Sequence, residues 1–456
     1  MKDMTQGSVT RHLLSMSSFL MMSMLVQTLY LLADLYWVGR LGKEAIAAVG
    51  VSGNLMMIVV AMTQALSVGA TTLISQATGR KDQNHAELAF NQSLVLSSLV
   101  GLAVGVIFFA LRVPYARSLG ADALTARLAS EYLLFFIPAL MFQFPLVSLS
   151  AALRATGIVR VPVLLQMASV VLNMVAAPLL MFGVGPLPRM GVSGTALATL
   201  LSVLAANALF IVYYQRHYRY LRFRAALLRP RAKTWWAMLR IGIPAGAEFA
   251  LMTGYIAIVY LIIRQFGAAA QAGFGIGARV MQSMFLPVLA LSFAVAPVIG
   301  QNFGARRLDR VRQTANSAFL LSTVLMGALT LVAQMGGIEL IRAFSRDGSV
   351  ISFGSEYLRV ISFNFVAVGI AFTSSSVFQG LGDTLPPLAS SATRLFLFAV
   401  PAIMLSRLPG FEIKQVWYLS VASVLVQAGA NLLLLRWKFR NVLAFAAANP
   451  LGGVQT

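Results

Sequence analysis

Two carboxylates stand where carboxylates are costly. Of the fourteen Asp and Glu residues in the chain, all but Asp34 and Glu248 fall in loops or near the ends of hydrophobic runs. Asp34 lies near the outer end of an apolar stretch from about Leu13 to Val38, and Glu248 lies inside the stretch from Arg240 to Ile263. Crossing the hydrocarbon of a bilayer takes about 20 apolar residues, and an ionisable group within such a segment costs several kcal/mol unless a partner or a water-filled cavity meets it. At ~1.5 Å of rise per residue, Asp34 is about 9 Å from the boundary marked by Arg40, and Glu248 about 12 Å from that marked by Arg240. Helical spacing puts Tyr30 and Gln27 on the face of Asp34, a stripe of amide, phenol and carboxylate. Low dielectric favours a neutral carboxyl group, and a nearby cation favours the ionised one. A proton, a sodium ion and an organic cation would therefore compete for one anionic position.

Other chemistries lack their residues. There is no cysteine, so no disulfide framework or thiolate metal site is available, and the three histidines, His12, His85 and His217, fall near one surface. No Ser/His set, carboxylate pair or metal cluster lies inside a span. An intramembrane enzyme is not expected, and neither is a cofactor beyond a coupling ion, H⁺ or Na⁺.

The elements that must hold these groups are membrane helices. The 456 residues are 59% hydrophobic and 11% charged, with a mean hydropathy of +0.80, whereas a soluble domain carries about 25% charged residues. Twelve apolar runs are expected as helices, near residues 13–38, 46–78, 90–111, 131–153, 161–182, 193–214, 240–263, 277–303, 316–335, 355–378, 386–405 and 416–435. The first is too long for a signal-peptide core and is read as a retained span. The net charge of +21 comes from residues that punctuate hydrophobic runs and excludes a nucleic-acid surface. The basic residues favour one set of loops, which places both termini in the cytoplasm of a multi-pass protein. The basic stretch Tyr214–Arg240 divides the chain into a first six-helix bundle (1–214), a cytoplasmic linker (215–239) whose Arg and Lys meet lipid headgroups, and a second bundle (240–456).

The halves repeat without a gap. At an offset of 225 residues Gly42 meets Gly267, Ala65-Leu66-Ser67 meets Ala290-Leu291-Ser292, Gln76 meets Gln301, and Ser130-Glu131-Tyr132-Leu133 meets Ser355-Glu356-Tyr357-Leu358. Six spans per half give parallel repeats about an axis along the membrane normal, with a central cavity, which favours a rocking transporter over a channel. Glu131 and Glu356 are expected in first helical turns, where an acid suits the helix dipole. Asp34 maps to Val259 and Glu248 to Ser23, so neither carboxylate copies the other.

The segment LADLYWVGRLGKEAIAAVG, with Arg154-Ala155-Thr156-Gly157, the run Gly191–Thr199, Ile299-Gly300-Gln301-Asn302-Phe303-Gly304-Ala305 and Gln379-Gly380-Leu381-Gly382-Asp383-Thr384, resembles the multidrug and toxic compound extrusion (MATE) transporters over nearly the whole chain. The resemblance implies twelve helices in two bundles arranged as a V, in the cell inner (plasma) membrane. It also implies export of small amphipathic cationic drugs or dyes in exchange for H⁺ or Na⁺, by a monomer. It places the cation site at Asp34, with Gln27, Tyr30, Asn173, Thr195 and Thr199 as neighbours and Na⁺ held at Asp34 and Asn173, and it matches Glu248 to a glutamate of the NorM-like branch. Ala177 stands where a second aspartate is common, and Phe19 where some members have a helix-bending proline. Loss of the Ala177 carboxylate favours H⁺, since sodium prefers several hard oxygen ligands. A flippase for a lipid-linked precursor, from the same wider superfamily, is the alternative; it would need an Arg- or Lys-rich cavity, and only Arg359 and Arg394 lie clearly inside spans.

Overall fold

A computed structural model describes residues 2–183, 185 and 188–448. Among them there is no strand, and twelve helical spans are long and apolar enough to cross a bilayer. The helices are α1 (Val9–Gly39), α2 (Lys43–Gly79), α3 (Gln83–Leu119), α4 (Ala123–Ala155), α5 (Arg160–Phe182), α6 (Val192–Arg216), α7 (Ala232–Ile263), α8 (Ala268–Gly304), α9 (Leu308–Arg342), α10 (Gly348–Ile361), α11 (Phe365–Leu381), α12 (Leu385–Leu405) and α13 (Ile413–Ala448). A 3₁₀ turn, Ser362–Asn364, separates α10 from α11, which together make the tenth span. Helices satisfy their own backbone groups, which hydrocarbon cannot do for them.

Helix ends repeat where the sequence does. Asp122 caps α4 by accepting from the Thr125 amide, and Asp347, its repeat partner, caps α10 by accepting from the amides of Ser349 and Val350. Lys81 and Arg306, also partners, are the non-glycine residues with positive φ among those described, 59° and 56°. Contrary to the expectation from the sequence, Glu131 and Glu356 do not lie in first turns. The helices begin eight residues earlier, at Ala123 and Gly348, because the aspartate caps set their starts. Glu131 pairs instead with Arg127 at 2.9 Å and Glu356 with Lys414 at 3.5 Å.

The described chain divides into two compact units, one of residues 2–3 and Phe19–Gly246, the other of Met4–Ser18 and residues 247–448. The division falls inside α7 and not at the linker expected over 215–239. Close packing explains the shift. A Cβ on Gly242 would stand 2.1 Å from the Ala65 carbonyl oxygen and one on Gly246 2.7 Å from that of Ala61, so the first part of α7 is fitted to α2. The linker joins the same unit. Gln92 Nε2 donates to the carbonyls of Leu227 and Arg229, Asn91 Nδ2 donates to that of Arg222, and Arg224 pairs with the buried Glu87 at 2.8 Å.

In the first unit α4 is central, packing on α2, α3 and α6. In the second, α8 and α11 are central, and Trp417, Tyr357 and Phe274 form an aromatic knot, with Trp417 stacked on Phe274 at 5.9 Å and edge-on to Tyr357 at 4.7 Å. The start of the chain is held in this unit. The Met4 amide donates to Gln301 Oε1, Asn302 Nδ2 to the Met4 carbonyl, and Arg307 to the Thr5 carbonyl.

Candidate functional site

In the first unit, Asp34 sits on α1 with one carboxylate oxygen, Oδ1, buried and without a hydrogen-bond partner. Its neighbours come from four helices. Tyr30, one helical turn earlier, brings its hydroxyl 3.4 Å from Thr199 Oγ1 on α6 and lies beside Asn173 on α5. Asn173 Nδ2 donates to Thr199 Oγ1 at 3.1 Å, and Thr199 Oγ1 in turn donates to the Thr195 carbonyl at 3.0 Å. Asn173 is buried, and its Oδ1 is a second acceptor without a partner. Tyr132 on α4 is close enough to interact electrostatically with Asp34 and Tyr30, and its phenol reaches Ser52 on α2. Further along α1, Ser23 Oγ donates to Gln166 Oε1 on α5, which fixes the rotation of α1 against that helix.

Of the residues expected from the sequence, Asp34, Tyr30, Asn173 and Thr199 come together. Thr195 is buried beside them, but its hydroxyl is turned to the Val192 carbonyl, so it contributes its own carbonyl to Thr199. Gln27 is exposed and lies outside the group. Ala177 is buried in a small apolar cluster with Leu180 and Ala198. Tyr132 was missed. The Ser-Glu-Tyr-Leu repeat marks its position, and in the structure both copies, Tyr132 and Tyr357, are buried.

Glu248 lies on α7 in the second unit. Ser375 Oγ donates to its Oε2 at 2.6 Å and Ser391 Oγ to its Oε1 at 3.2 Å, from α11 and α12. Gln379 Nε2 donates to Ser375 and Gln427 Nε2 to Ser391. Glu248 lines a cavity of about 110 Å³ together with Tyr255, Phe372, Ser375, Arg394 and Gln427. No group of three or more His, Cys, Asp and Glu that could hold a metal ion occurs among the described residues.

Both sites thus offer anionic oxygen in an apolar setting, but to different degrees. At Glu248 both oxygens already accept from serine. At Asp34 two buried acceptors, Asp34 Oδ1 and Asn173 Oδ1, call for something that donates or carries positive charge.

A family model described as MatE matches residues 20–179 and 244–405. The chain is similar to the probable multidrug resistance protein YpnP of Bacillus subtilis, 28% identical over 403 residues that cover 88% of each chain. It is 26% identical to the probable multidrug resistance protein NorM of Thermotoga maritima, over 94% of this chain and 93% of that one. An FAD transporter of Shewanella oneidensis is 25% identical over 88% of this chain and 89% of its own. Among solved structures, a MATE transporter crystallised in a bent conformation superposes with a TM-score of 0.90 at 24% identity, covering 98% of both chains. A transporter of the MOP superfamily from Pyrococcus furiosus, described as having a binding pocket of reverse polarity that suggests a different function, superposes with a TM-score of 0.88 at 23% identity, covering 97% of this chain and 98% of that one.

Proposed function

The chain belongs to the MatE family of membrane transporters, and from that premise we propose that it exports small amphipathic organic cations in exchange for a coupling cation bound at Asp34. The observation that carries this reading is the pair of buried, unpartnered acceptors, Asp34 Oδ1 and Asn173 Oδ1, within a membrane-spanning unit. Several similar proteins are named as multidrug resistance or multidrug export proteins, which supports drugs as the cargo.

The site works by exclusion. One carboxylate neutralises one positive charge at a time, so the coupling cation and the drug cannot both be held there. With the site open outward, the coupling cation takes Asp34 and drug leaves. With it open inward, drug displaces the coupling cation, and the cycle repeats. Tyr30, Thr199 and Asn173 hold the carboxylate's surroundings in one geometry. The coupling ion is H⁺ in our reading, because a lone carboxylate suffices for a proton and Ala177 supplies no second acid. Sodium is the second reading, favoured by Asn173 Oδ1, which adds a hard oxygen beside Asp34. The basic-residue bias puts the inner loops and both termini on the cytoplasmic side of the plasma membrane, and a monomer is sufficient for this chemistry. A lipid-precursor flippase is not favoured, since a cavity rich in basic side chains is not found among the residues lining the one at Glu248.

Exchange of a cationic dye in proteoliposomes, with and without Na⁺ at fixed pH, tests the reading. Asp34→Asn is expected to abolish exchange in a protein that still purifies as a folded monodisperse species. Retained exchange would remove Asp34 from the mechanism, and a strict Na⁺ requirement would replace the proton.

A further inference from the structure

The cavity in the second unit holds a charged group that cation chemistry leaves unused. Arg394, on α12, has Nη1 3.4 Å from Gln427 Oε1 and its guanidinium carbon 5.1 Å from the centre of the Tyr255 ring. Its Nε–H is closed off from solvent and has no acceptor. Glu248 is not that acceptor: its oxygens accept from Ser375 and Ser391, and Arg394 Nε has no partner. The two charges stand instead at opposite ends of a hydrogen-bonded chain, Arg394 to Gln427, Gln427 to Ser391 and Ser391 to Glu248.

A guanidinium stays protonated in proteins and presents its N–H groups in a planar fork that matches a carboxylate. Leaving a buried N–H unpaired is costly, a cost that a ligand's acceptor would remove. The internal repeat shows that the framework does not require an arginine here. The partners of Arg394 and Gln427 are Ser169 and Ser202, and there the Ser169 hydroxyl simply donates to the Ser202 carbonyl at 2.7 Å. The same helix crossing carries a neutral pair in one unit and a cationic donor without an acceptor in the other.

We propose that this cavity is an anion subsite, taking the carboxylate end of an amphiphilic organic acid or zwitterion, with the Arg394 Nε–H donating to the carboxylate and the Tyr255 and Phe372 rings flanking the adjoining carbons. Pockets that enclose a whole drug-sized ligand run to about 300–1,000 Å³, so a cavity of about 110 Å³ takes one end of such a molecule. The subsite lies wholly within the second unit and does not depend on cation exchange at Asp34.

A rhodamine free acid and its ethyl ester test this, since the xanthene cation is common to both and only the acid carries a carboxylate. Binding of each dye to the full-length protein in detergent is read by fluorescence anisotropy. Loss of a hydrogen bond to a charged group predicts that Arg394→Gln weakens binding of the acid about tenfold more than that of the ester. Millimolar benzoate is expected to displace the acid from the wild-type protein and to leave the ester bound. Equal weakening of both dyes, failure of the wild-type protein to bind the acid, or failure of benzoate to compete would overturn the proposal. The benzoate measurement needs no variant, so a poorly folded Arg394→Gln does not shield it. Asp34→Asn should lose exchange yet keep acid binding, which separates this subsite from the reading of Asp34.

Discussion

Thr199 is the pin of the Asp34 site. Its hydroxyl accepts from Asn173, meets the Tyr30 phenol and donates to the Thr195 carbonyl, so one atom links α1, α5 and α6. Thr199→Val keeps the shape and removes that atom, and the Asn173 amide then loses its acceptor. Each lost hydrogen bond is worth about 1 kcal/mol, so exchange is expected to fall about five- to tenfold while expression and monodispersity hold. Initial rates of dye exchange in proteoliposomes measure it, and an unchanged rate would mean that the pin positions nothing. Much of this site was legible in the sequence. An aspartate inside an apolar run stands out by its cost, and Tyr30 shares its face by simple spacing. Asn173 and Thr199 needed the family resemblance, because Asn and Thr are common in spans and carry no charge to betray them. The repeat marks the position of Tyr132 but not its role, and the four-residue chain from Arg394 to Glu248 is not legible at all. Their roles come from the convergence of separate helices, and no local spacing encodes that.

At the level of elements, the unexpected one is α7. Its first part carries Gly242 and Gly246 against Ala65 and Ala61 of α2, and its later part carries Glu248 into the second unit. Sequence reading put the boundary at the basic linker because composition changes there. Packing of small residues, which composition does not register, moved the boundary into the helix. Gly242→Leu would drive a side chain into the α2 backbone, and overpacking of this kind costs about 1–3 kcal/mol. The midpoint of thermal unfolding in detergent is expected to drop by several degrees, whereas Gly336→Leu, where a Cβ meets nothing within 4 Å, should leave it in place. The helix caps give a pH-dependent counterpart. The Thr125 amide beside Asp122 holds its carboxyl below the usual carboxylate range, and the Ser349 hydroxyl and amide do the same for Asp347. A lowered folded-state value means that the cap's contribution is present above the unfolded-state value, near pH 4. It is lost as pH falls through the lower folded-state value. Asp122→Ala should therefore destabilise the protein at neutral pH, and the difference from wild type should shrink as the pH is taken below 4. A difference that persists undiminished in acid would show that the carboxylate is not the stabilising group.

Across the whole molecule, one framework serves two chemistries. The 225-residue repeat preserves hydrogen-bonding positions more faithfully than residue types. Ser23–Gln166 in the first unit corresponds to Glu248–Ser391 in the second, and Arg154–Ser150 to Gln379–Ser375, while the partner phenols Tyr30 and Tyr255 meet hydroxyls one helical turn apart in the repeat, Thr199 and Ser420. The charges sit on different members of this framework. Asp34 has Val259 as its partner, fully buried in the apolar core of the second unit, and Asn173 and Thr199 correspond to the buried Phe398 and Val424. A carboxylate at position 259 would therefore lie in hydrocarbon, without the polar group that Tyr30, Asn173 and Thr199 form in the first unit. Burying a polar group without partners costs several kcal/mol. The double variant Asp34→Asn, Val259→Asp should accordingly show no exchange in proteoliposomes and a lower unfolding temperature than Asp34→Asn alone. Recovery of exchange would show that the framework by itself makes a coupling site wherever an acid is placed on it. Failure to recover would assign coupling to the neighbours Asn173 and Thr199 as much as to the carboxylate, and would explain why duplication left each unit with its own charged group at its own depth.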